Sequence, residues 1–478
     1  MHNIVLKPPP ANRTIASGDG KTRGEHMSPH EHQSDDSPSG ENADRANRGA
    51  AANKRSADES RADEGAGRQA LRAFVPLCLA GFVAYAYNNA YMTLAPTFAQ
   101  DIGASLAQAG LQGTVFLVAA VILRFALGPL ADRIGTKPVM ALGLASFALG
   151  SALFALCETF WHILCVRCIQ AVGIAAFYPC ATAAVAEMSP GGKSGLFLGL
   201  YRFVTAASLT VGPAAAFALA DVAGYRLCFA ALACASLAAL AFVLALPNAG
   251  RKATGAAERQ ARPNPASHLL RTLRGCFADN PRLVALVLGS TVLAALGYGL
   301  LFSFSATYLR TVGSELDEGV YFTVVGLGGL VANPLAGWLC DRIDRRGLLA
   351  GCLACFGLGV AVLGACGAGA AAPVASGILA GLGYAGTITT VLSIVSSGFD
   401  PALRSSLLSL QQNAIDLGIA CASGAFGAVL AAAGDGQGTV FAAWGALTAL
   451  AALVPAALAR GASPTAGAPT APRRRARR

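Results

Sequence analysis

Long apolar runs are the feature that most limits what this sequence can fold into. From Phe74 onward they repeat along the chain, separated by short polar or Gly/Pro breaks. A helix needs about 20 apolar residues to cross a bilayer, and soluble proteins carry roughly 25% charged residues. This chain of 478 residues is 54% hydrophobic and only 13% charged. The pattern predicts an all-α polytopic membrane protein with about twelve transmembrane helices. The predicted spans lie near 73–97, 105–127, 138–157, 161–184, 195–219, 226–246, 283–309, 319–340, 347–367, 373–398, 405–432 and 438–459.

Three polar segments flank and separate two sets of six spans. Residues 1–70 are charged and rich in Gly and Ser, so they cannot bury enough apolar area to fold, and they hold no signal-peptide core. Residues 247–282 form a Pro-containing basic linker, and residues 461–478 form a basic tail. We therefore expect a disordered N-terminal tail, one six-helix bundle over 71–246 and a second over 283–460.

Lys and Arg are distributed unevenly over the loops. They collect before odd-numbered spans and after even-numbered ones, whereas the opposite loops hold mainly Asp and Glu, apart from Arg226 and Arg310. Basic loops stay on the cytoplasmic side of a membrane. The bias predicts a protein of the cytoplasmic (inner) membrane with both termini in the cytoplasm. It also accounts for the net charge of +10 without nucleic-acid binding.

A charged motif occurs twice, each time after the second span of a half. The first copy reads GPLADRIGTK over 128–137, and the second reads GWLCDRIDRR over 337–346. Their Asp residues, Asp132 and Asp341, are 341 minus 132, or 209, positions apart, and a second match brings Thr205 opposite Asp416 at an offset of 211. Charged positions that match at nearly equal offsets indicate a parallel duplication. Such repeats are found where two bundles rock about a site at the membrane midplane.

With these motifs the sequence resembles the major facilitator superfamily over about 73–459. The resemblance implies two pseudo-symmetric six-helix bundles and a gating role for the duplicated loop. In that role Asp132 would lie against the positive N-terminal end of span eleven, which is worth roughly 0.3–1 kcal/mol, while Gly128 and Gly135 would allow close approach and a tight turn. The alternative is that these charges only fix topology. The candidate latch residues are Gly128, Asp132, Arg133, Gly135, Lys137, Gly337, Asp341 and Arg342.

Few ionisable residues lie inside the predicted spans. An ionisable side chain there is costly unless it is paired or faces a cavity, so each is a functional candidate. Asp416 lies about 18 Å along span eleven from Arg404, and Arg202 occupies a similar depth in span five. We expect these two residues to couple protons to solute, either by pairing across the cavity or by each meeting solute or proton. The alternative is a buried polar network that locks the bundles together.

Further polar residues of the spans are assigned by position. Arg167 and Gln170 match the family's R-x-x-Q pattern, in which the arginine resembles a charge relay coupled to proton movement; alternatively, Arg167 extends to the outer interface. Arg124 is expected near the inner interface. Other polar residues of the spans are candidates for contact with a solute in the cavity. The alternative is that their Ser and Tyr side chains hydrogen-bond one helix to another. The candidate cavity-lining residues are Asn88, Asn89, Tyr91, Arg124, Tyr201, Thr205, Tyr298, Gln412 and Asn413.

Span five carries part of the glycine-rich stretch of the family's antiporters. Gly199, Gly212 and Pro213 match it, whereas Ser208 and Ala216 replace glycines. The chain here resembles the bacterial proton-coupled drug or sugar efflux-like group. The resemblance favours a secondary active transporter that exports a small solute in exchange for protons. Proton-coupled uptake of a nutrient such as an organic anion or sugar is the alternative.

Enzymatic function is not expected. The chain shows no metalloprotease, esterase or nucleotide-binding motif, so neither hydrolysis nor ATP coupling has residues to perform it. We expect no cofactor and no metal site. The expected partners are the lipid bilayer, a small-molecule solute and protons, and the chain is expected to act as a monomer.

Overall fold

The computed structural model describes residues 73–188, 194–246, 280–399 and 401–460. Both predicted tails, and the predicted linker up to residue 279, lie outside these residues. The described chain is helical throughout, apart from short connections.

Six helices make up the first half. A single helical stretch, Ser194–Ala245, is broken at Gly224, whose φ of 78° favours glycine, so we treat it as two helices. The helices are α1 (73–101), α2 (Leu106–Ile134), α3 (Thr136–Phe154), α4 (Phe160–Met188), α5 (194–223) and α6 (225–245).

Six helices and a short continuation make up the second half. A 3₁₀ turn, Gly434–Gly436, connects the last two long helices. The helices are α7 (Pro281–Thr311), α8 (Glu318–Cys340), α9 (Arg345–Gly364), α10 (Ala371–Gly398), α11 (Pro401–Ala433), α12 (Gln437–Ala451) and the short α13 (Leu453–Arg460).

The helices match the predicted spans. Beyond α1, nine stretches of the described chain are long and apolar enough to cross a membrane. Two of them, with 49 and 50 residues, are each long enough for two spans of about 20 residues. Counting those two twice and adding α1 gives the twelve predicted helices, arranged as two bundles, α1–α6 and α7–α12.

The predicted loop after span two is wrong in one respect. Residues 128–134 form the last turns of α2, with Pro129 inside the helix, and residues 337–340 form the last turn of α8. Gly135 ends α2 with a φ of 99°, a conformation that suits glycine in a tight turn. Both copies of the motif therefore begin in the last part of a helix, which runs to Ile134 in the first copy and to Cys340 in the second, where residues 341–344 form the connection to α9.

The two bundles pack closely at one end, which we name the outer end because the basic-loop rule predicts it to face away from the cytoplasm. Thr114 Oγ1 of α2 donates to the Ala420 carbonyl oxygen of α11 at 2.6 Å. Thr323 Oγ1 of α8 donates to the Thr210 carbonyl oxygen of α5 at 3.1 Å. Four helices thus join the bundles in their outer halves.

Small residues allow this close contact. A Cβ on Gly110 of α2 would overlap the carbonyl oxygen of Ser423 on α11, and a Cβ on Gly326 of α8 would overlap Thr210 of α5. Close approach of backbones at small residues is a common way for helices to associate in lipid, where burial of apolar surface gives no net gain. The outer contact therefore depends on these glycines.

Polar side chains add to the closure of the outer end. Arg310 of α7 lies 3.6 Å from the Asp101 carboxylate of α1 and 2.6 Å from that of Glu318 of α8. The Tyr225 hydroxyl donates to Asp101, and Gln100 Nε2 of α1 donates to Thr307 Oγ1 of α7 at 2.9 Å. The ion pairs are partly exposed, so each contributes only about 0–1 kcal/mol.

The opposite end, which we name the inner end, is less closely packed. Three glycines in the inner halves of α2, α5 and α8, namely Gly128, Gly199 and Gly337, have no atom of the described residues within 4 Å of the position a Cβ would take. The described part of the chain therefore joins the bundles at the outer end and leaves the helix surface around these three glycines uncovered.

Candidate functional site

An ion pair joins the two bundles deep inside the molecule. The Arg124 guanidinium of α2 donates to the Asp416 carboxylate of α11, and Gln412 Nε2 donates to the other carboxylate oxygen at 3.4 Å. The two charged side chains are only 16% and 8% exposed. We call Arg124 and Asp416 the central ion pair. Because both charges are largely removed from water, removing one partner would leave the other uncompensated.

The helix directions explain how Arg124 reaches this depth. Side chains on a helix point toward its N-terminus, and α2 begins at the outer end. Arg124 therefore extends from the inner half of α2 toward the centre, where Asp416 lies 15 residues after the start of α11. The prediction that placed Arg124 near the inner interface is wrong for its guanidinium, which sits at the central ion pair.

The predicted pairing of Arg202 with Asp416 is not formed. Asp416 is paired with Arg124 instead, and the Arg202 side chain on α5 is exposed. Arg202 remains within electrostatic range of Tyr85, which is also within range of Arg124 and Asp416. Arg202 and the central ion pair thus both act electrostatically on Tyr85.

Two stacked pairs of tyrosines flank the central ion pair. Tyr85 of α1 and Tyr178 of α4 stack with ring centroids 4.0 Å apart and planes 3° from parallel. Tyr298 of α7 and Tyr384 of α10 stack at 4.0 Å and 19°. Tyr178 and Tyr384 both lie within electrostatic range of Asp416. We call these the first and second tyrosine pairs.

The predicted cavity residues divide into those near the centre and those buried elsewhere. Tyr91 is 1% exposed and its hydroxyl lies 2.7 Å from Ser151 Oγ inside the first bundle, and Tyr201 is 2% exposed. The prediction that these two line a cavity is therefore wrong in this conformation. Asn89 Nδ2 donates to Ser208 Oγ at 3.3 Å, which joins α1 to α5. Among the other predicted cavity residues, Gln412 is exposed and Thr205 is buried. The half-buried ones are Asn88, Asn89, Tyr298 and Asn413.

Arg167 lies in a polar cluster within the first bundle. Its Nε donates to Gln112 Oε1 at 2.5 Å and its Nη1 to Gln170 Oε1 at 3.0 Å, and Gln170 Nε2 donates to the Tyr87 hydroxyl at 2.7 Å. The guanidinium stacks on Phe116 at 4.3 Å. Arg167 is 1% exposed, so the alternative in which it extends to the interface is wrong. The cluster brings the predicted Arg167 and Gln170 together and couples α1, α2 and α4.

The structure describes the side chains of only some of the latch residues. The Asp132 side chain and the side chains at the start of α11 lie outside the described residues. Lys137 Nζ donates to the Leu246 carbonyl oxygen at 2.6 Å, and the Arg342 guanidinium stacks on Trp338 at 4.0 Å. No atom of the described residues lies within 4 Å of the position a Cβ would take on Gly128, and its expected close approach to the start of α11 stays a prediction. Gly337 is uncovered in the same way, Arg133 is exposed, and Asp341 is the exposed C-cap of α8.

The antiporter-like stretch has one clear packing function. A Cβ on Gly212 of α5 would meet the backbone of Ala86 on α1, so this glycine allows the two helices to touch. Pro213 follows inside α5, and Gly199 has open space around it. Gly212 thus holds α5 against the helix that carries Tyr85.

Sequence reasoning missed Tyr85, Tyr178 and Tyr384. A tyrosine in an apolar run does not differ in pattern from one in a helix interface. One signal was present: Tyr85 and Tyr298 are 298 minus 85, or 213, positions apart, and Tyr178 and Tyr384 are 206 apart, close to the offsets of the duplicated motifs. Matching the aromatic residues of the two halves would have found both pairs.

Comparison with known proteins identifies the family. The sequence profile described as Major Facilitator Superfamily matches residues 77–313 and 287–478. The chain belongs to the major facilitator superfamily. It thus belongs to a family of multi-pass membrane transporters and is not an enzyme, and the resemblance seen in its motifs is confirmed.

Curated relatives and solved structures agree with this. The chain is 27% identical to the multidrug resistance protein MdtG of Escherichia fergusonii over 240 residues, 49% of this chain and 56% of that protein. It is 26% identical to MdtG of Proteus mirabilis over 233 residues, 48% and 55% of the two chains. The chain thus spans about half the length of these relatives.

The fold is similar to that of two solved transporters. The nucleoside transporter NupG superposes with a TM-score of 0.66 at 16% identity, over 81% of this chain and 98% of that one. A D-xylose-proton symporter superposes with a TM-score of 0.65 at 16% identity, over 80% and 97%. At such identities the similarity concerns the fold.

Proposed function

We propose that this protein exports a small solute across the bacterial cytoplasmic membrane in exchange for protons, by alternating access. Asp416 carries the proton and Arg124 competes with it. The central ion pair is the observation that carries the proposal, because it links the two bundles through a group that can be switched by one proton. The name of the MdtG relatives, multidrug resistance protein, supports the outward direction. Both termini face the cytoplasm in this proposal.

The cycle starts from the conformation described above, which we take as open to the cytoplasm. The solute enters from the inner end and displaces Arg124 from Asp416, so the link between the bundles is lost and the outer end opens. A proton from outside then binds the Asp416 carboxylate and releases the solute. After return to the inner side, Arg124 pairs again with Asp416 and the proton leaves to the cytoplasm, because a nearby guanidinium favours the charged carboxylate.

The charge of the solute decides the sign of coupling. A cationic solute binds the Asp416 carboxylate in place of Arg124, so it competes with the proton and the two move in opposite directions. An anionic solute binds Arg124 and leaves Asp416 free to take a proton, so the two move together. Two arginines near one carboxylate, Arg124 and Arg202, favour this second candidate, proton-coupled uptake of an organic anion.

Everted membrane vesicles test the proposal. With candidate solutes supplied outside, an imposed pH gradient, acid inside, should drive solute into vesicles that contain the wild type. Asp416→Asn should lose this gradient-driven flux, and Asp435→Asn, the same change at an exposed position in the turn after α11, should retain it. Gradient-driven flux that persists in Asp416→Asn excludes Asp416 as the proton carrier, and an effect of opposite sign favours symport.

A further inference from the structure

Aromatic side chains of both bundles lie in the neighbourhood of the central ion pair. The first tyrosine pair, Tyr85 and Tyr178, comes from α1 and α4, and the second, Tyr298 and Tyr384, comes from α7 and α10. These are the first and fourth helices of each half, so the internal duplication places the two pairs at related positions. All four side chains are half-buried, which means that each keeps some surface free.

The stacking order shows which rings are available. Tyr298 is covered on both faces, by Tyr384 at 4.0 Å and by Phe302 at 4.1 Å. Tyr384 therefore ends a stack of three near-parallel rings, with Phe356 next to it at 5.8 Å and 50° from parallel. Tyr384 is the member of this stack on which the Asp416 carboxylate acts electrostatically. On the first bundle, Tyr85 and Tyr178 each have one face on the other, and both lie within range of the central ion pair.

Aromatic rings prefer offset-stacked or edge-to-face contact with another ring, and this attraction adds to that of apolar burial. Tyr384 belongs to the second bundle and the first tyrosine pair to the first, so a solute that engages the central ion pair can reach rings of both bundles. A solute with a planar ring makes such contacts with both bundles, whereas a saturated solute of the same charge makes only apolar contact.

We infer that the solute carries a planar aromatic ring next to a charged group, with the ring held by Tyr85, Tyr178 and Tyr384 and the charge at the central ion pair. This inference rests on the proposed function and specifies the solute class. It adds three aromatic contact residues to the site.

Binding to the purified full chain in detergent tests the inference without a membrane or a gradient. The probes are two matched pairs, 2-naphthoate with decahydro-2-naphthoate, and 2-naphthylmethylamine with its saturated counterpart, measured by saturation-transfer NMR. We expect the aromatic member of at least one pair to bind about 10-fold more tightly than its saturated partner. Equal binding within both pairs, or no binding of either aromatic probe, would overturn the inference.

Variants test which rings are involved. Tyr85→Leu and Tyr384→Leu should reduce the aromatic preference to about 2-fold or less, whereas Tyr85→Phe and Tyr384→Phe keep the ring and should retain it. Trp161→Leu, which removes an exposed aromatic ring at the start of α4, is the control and should bind like the wild type. Leucine variants that keep the full preference would overturn the assignment of these residues. If a pH gradient drives solute flux but the aromatic and saturated probes bind equally, only this inference is wrong. If the aromatic probe binds more tightly but solute flux is not coupled to protons, only the proposed function is wrong.

Discussion

The central ion pair should determine which end of the molecule is open. Replacing Asp416 with Asn removes the negative charge and leaves Arg124 without its partner. Breaking a buried ion pair in this way costs about 3–5 kcal/mol when the remaining charge stays buried. Here Arg124 is 16% exposed and can regain some hydration, so we expect about 1.5–3 kcal/mol. Since about 1.4 kcal/mol is a factor of ten, the ratio of inward-open to outward-open molecules should fall roughly 10- to 100-fold.

Distance measurement between spin labels reports this ratio. In a cysteine-free background, labels at Leu200 and Leu335, which are exposed residues in the inner halves of α5 and α8, should separate in the inward-open state and approach in the outward-open state. Asp416→Asn should enrich the shorter distance. Arg124→Gln should shift the ratio of the two states in the same direction. In the double variant, the change in the free-energy difference between the two states should be smaller than the sum of the two single changes by about 1.5–3 kcal/mol.

The reasoning is refuted if the distance distribution of Asp416→Asn matches that of the wild type. In that case the ion pair would exist equally in both conformations and could not bias them. Additive effects of the two single variants would refute it as well, because the two side chains would then not act through each other.

Two further predictions concern packing and the outer end. Gly173→Ala should lower the free energy of unfolding by about 1–3 kcal/mol, because its Cβ would overlap the Phe147 ring, whereas Gly199→Ala has open space and should leave thermal stability in detergent unchanged. Arg310→Gln removes the ion pair with Asp101 and should speed amide hydrogen exchange, measured by mass spectrometry, at the outer ends of α1 and α7 without affecting the inner ends. An unchanged melting temperature of Gly173→Ala would contradict the close packing of Gly173 against Phe147. Unchanged amide exchange in Arg310→Gln would contradict a role of the Arg310–Asp101 ion pair at the outer end.

The arrangement of helices could be predicted from the sequence because lipid allows few alternatives. A run of about 20 apolar residues in a bilayer has to satisfy its backbone hydrogen bonds internally, so each run forms a helix. Counting residues from the end of a span also predicted that Asp416 lies well inside its helix, where its side chain is buried. The Gly128-Pro129 pair was the exception, since it is typical of a helix end, yet α2 continues through it to Gly135.

The partners inside the site could not be predicted in the same way. Depth follows from counting along one helix, but the identity of a partner depends on how two helices rotate and cross. Arg202 and Arg124 were both available to Asp416, and only the packing of α2 against α11 selects Arg124. The tyrosine pairs were missed for a related reason, because stacking between α1 and α4 needs the geometry of both helices.

Proton movement during transport tests the central claim most directly. In proteoliposomes with a pH-sensitive dye trapped inside, wild-type solute flux in one direction should be accompanied by proton flux in the other. Asp416→Asn should move no protons in exchange for solute, because the residue that carries them is gone. A proton flux that is unchanged in Asp416→Asn, or solute flux without proton movement in the wild type, would contradict the account.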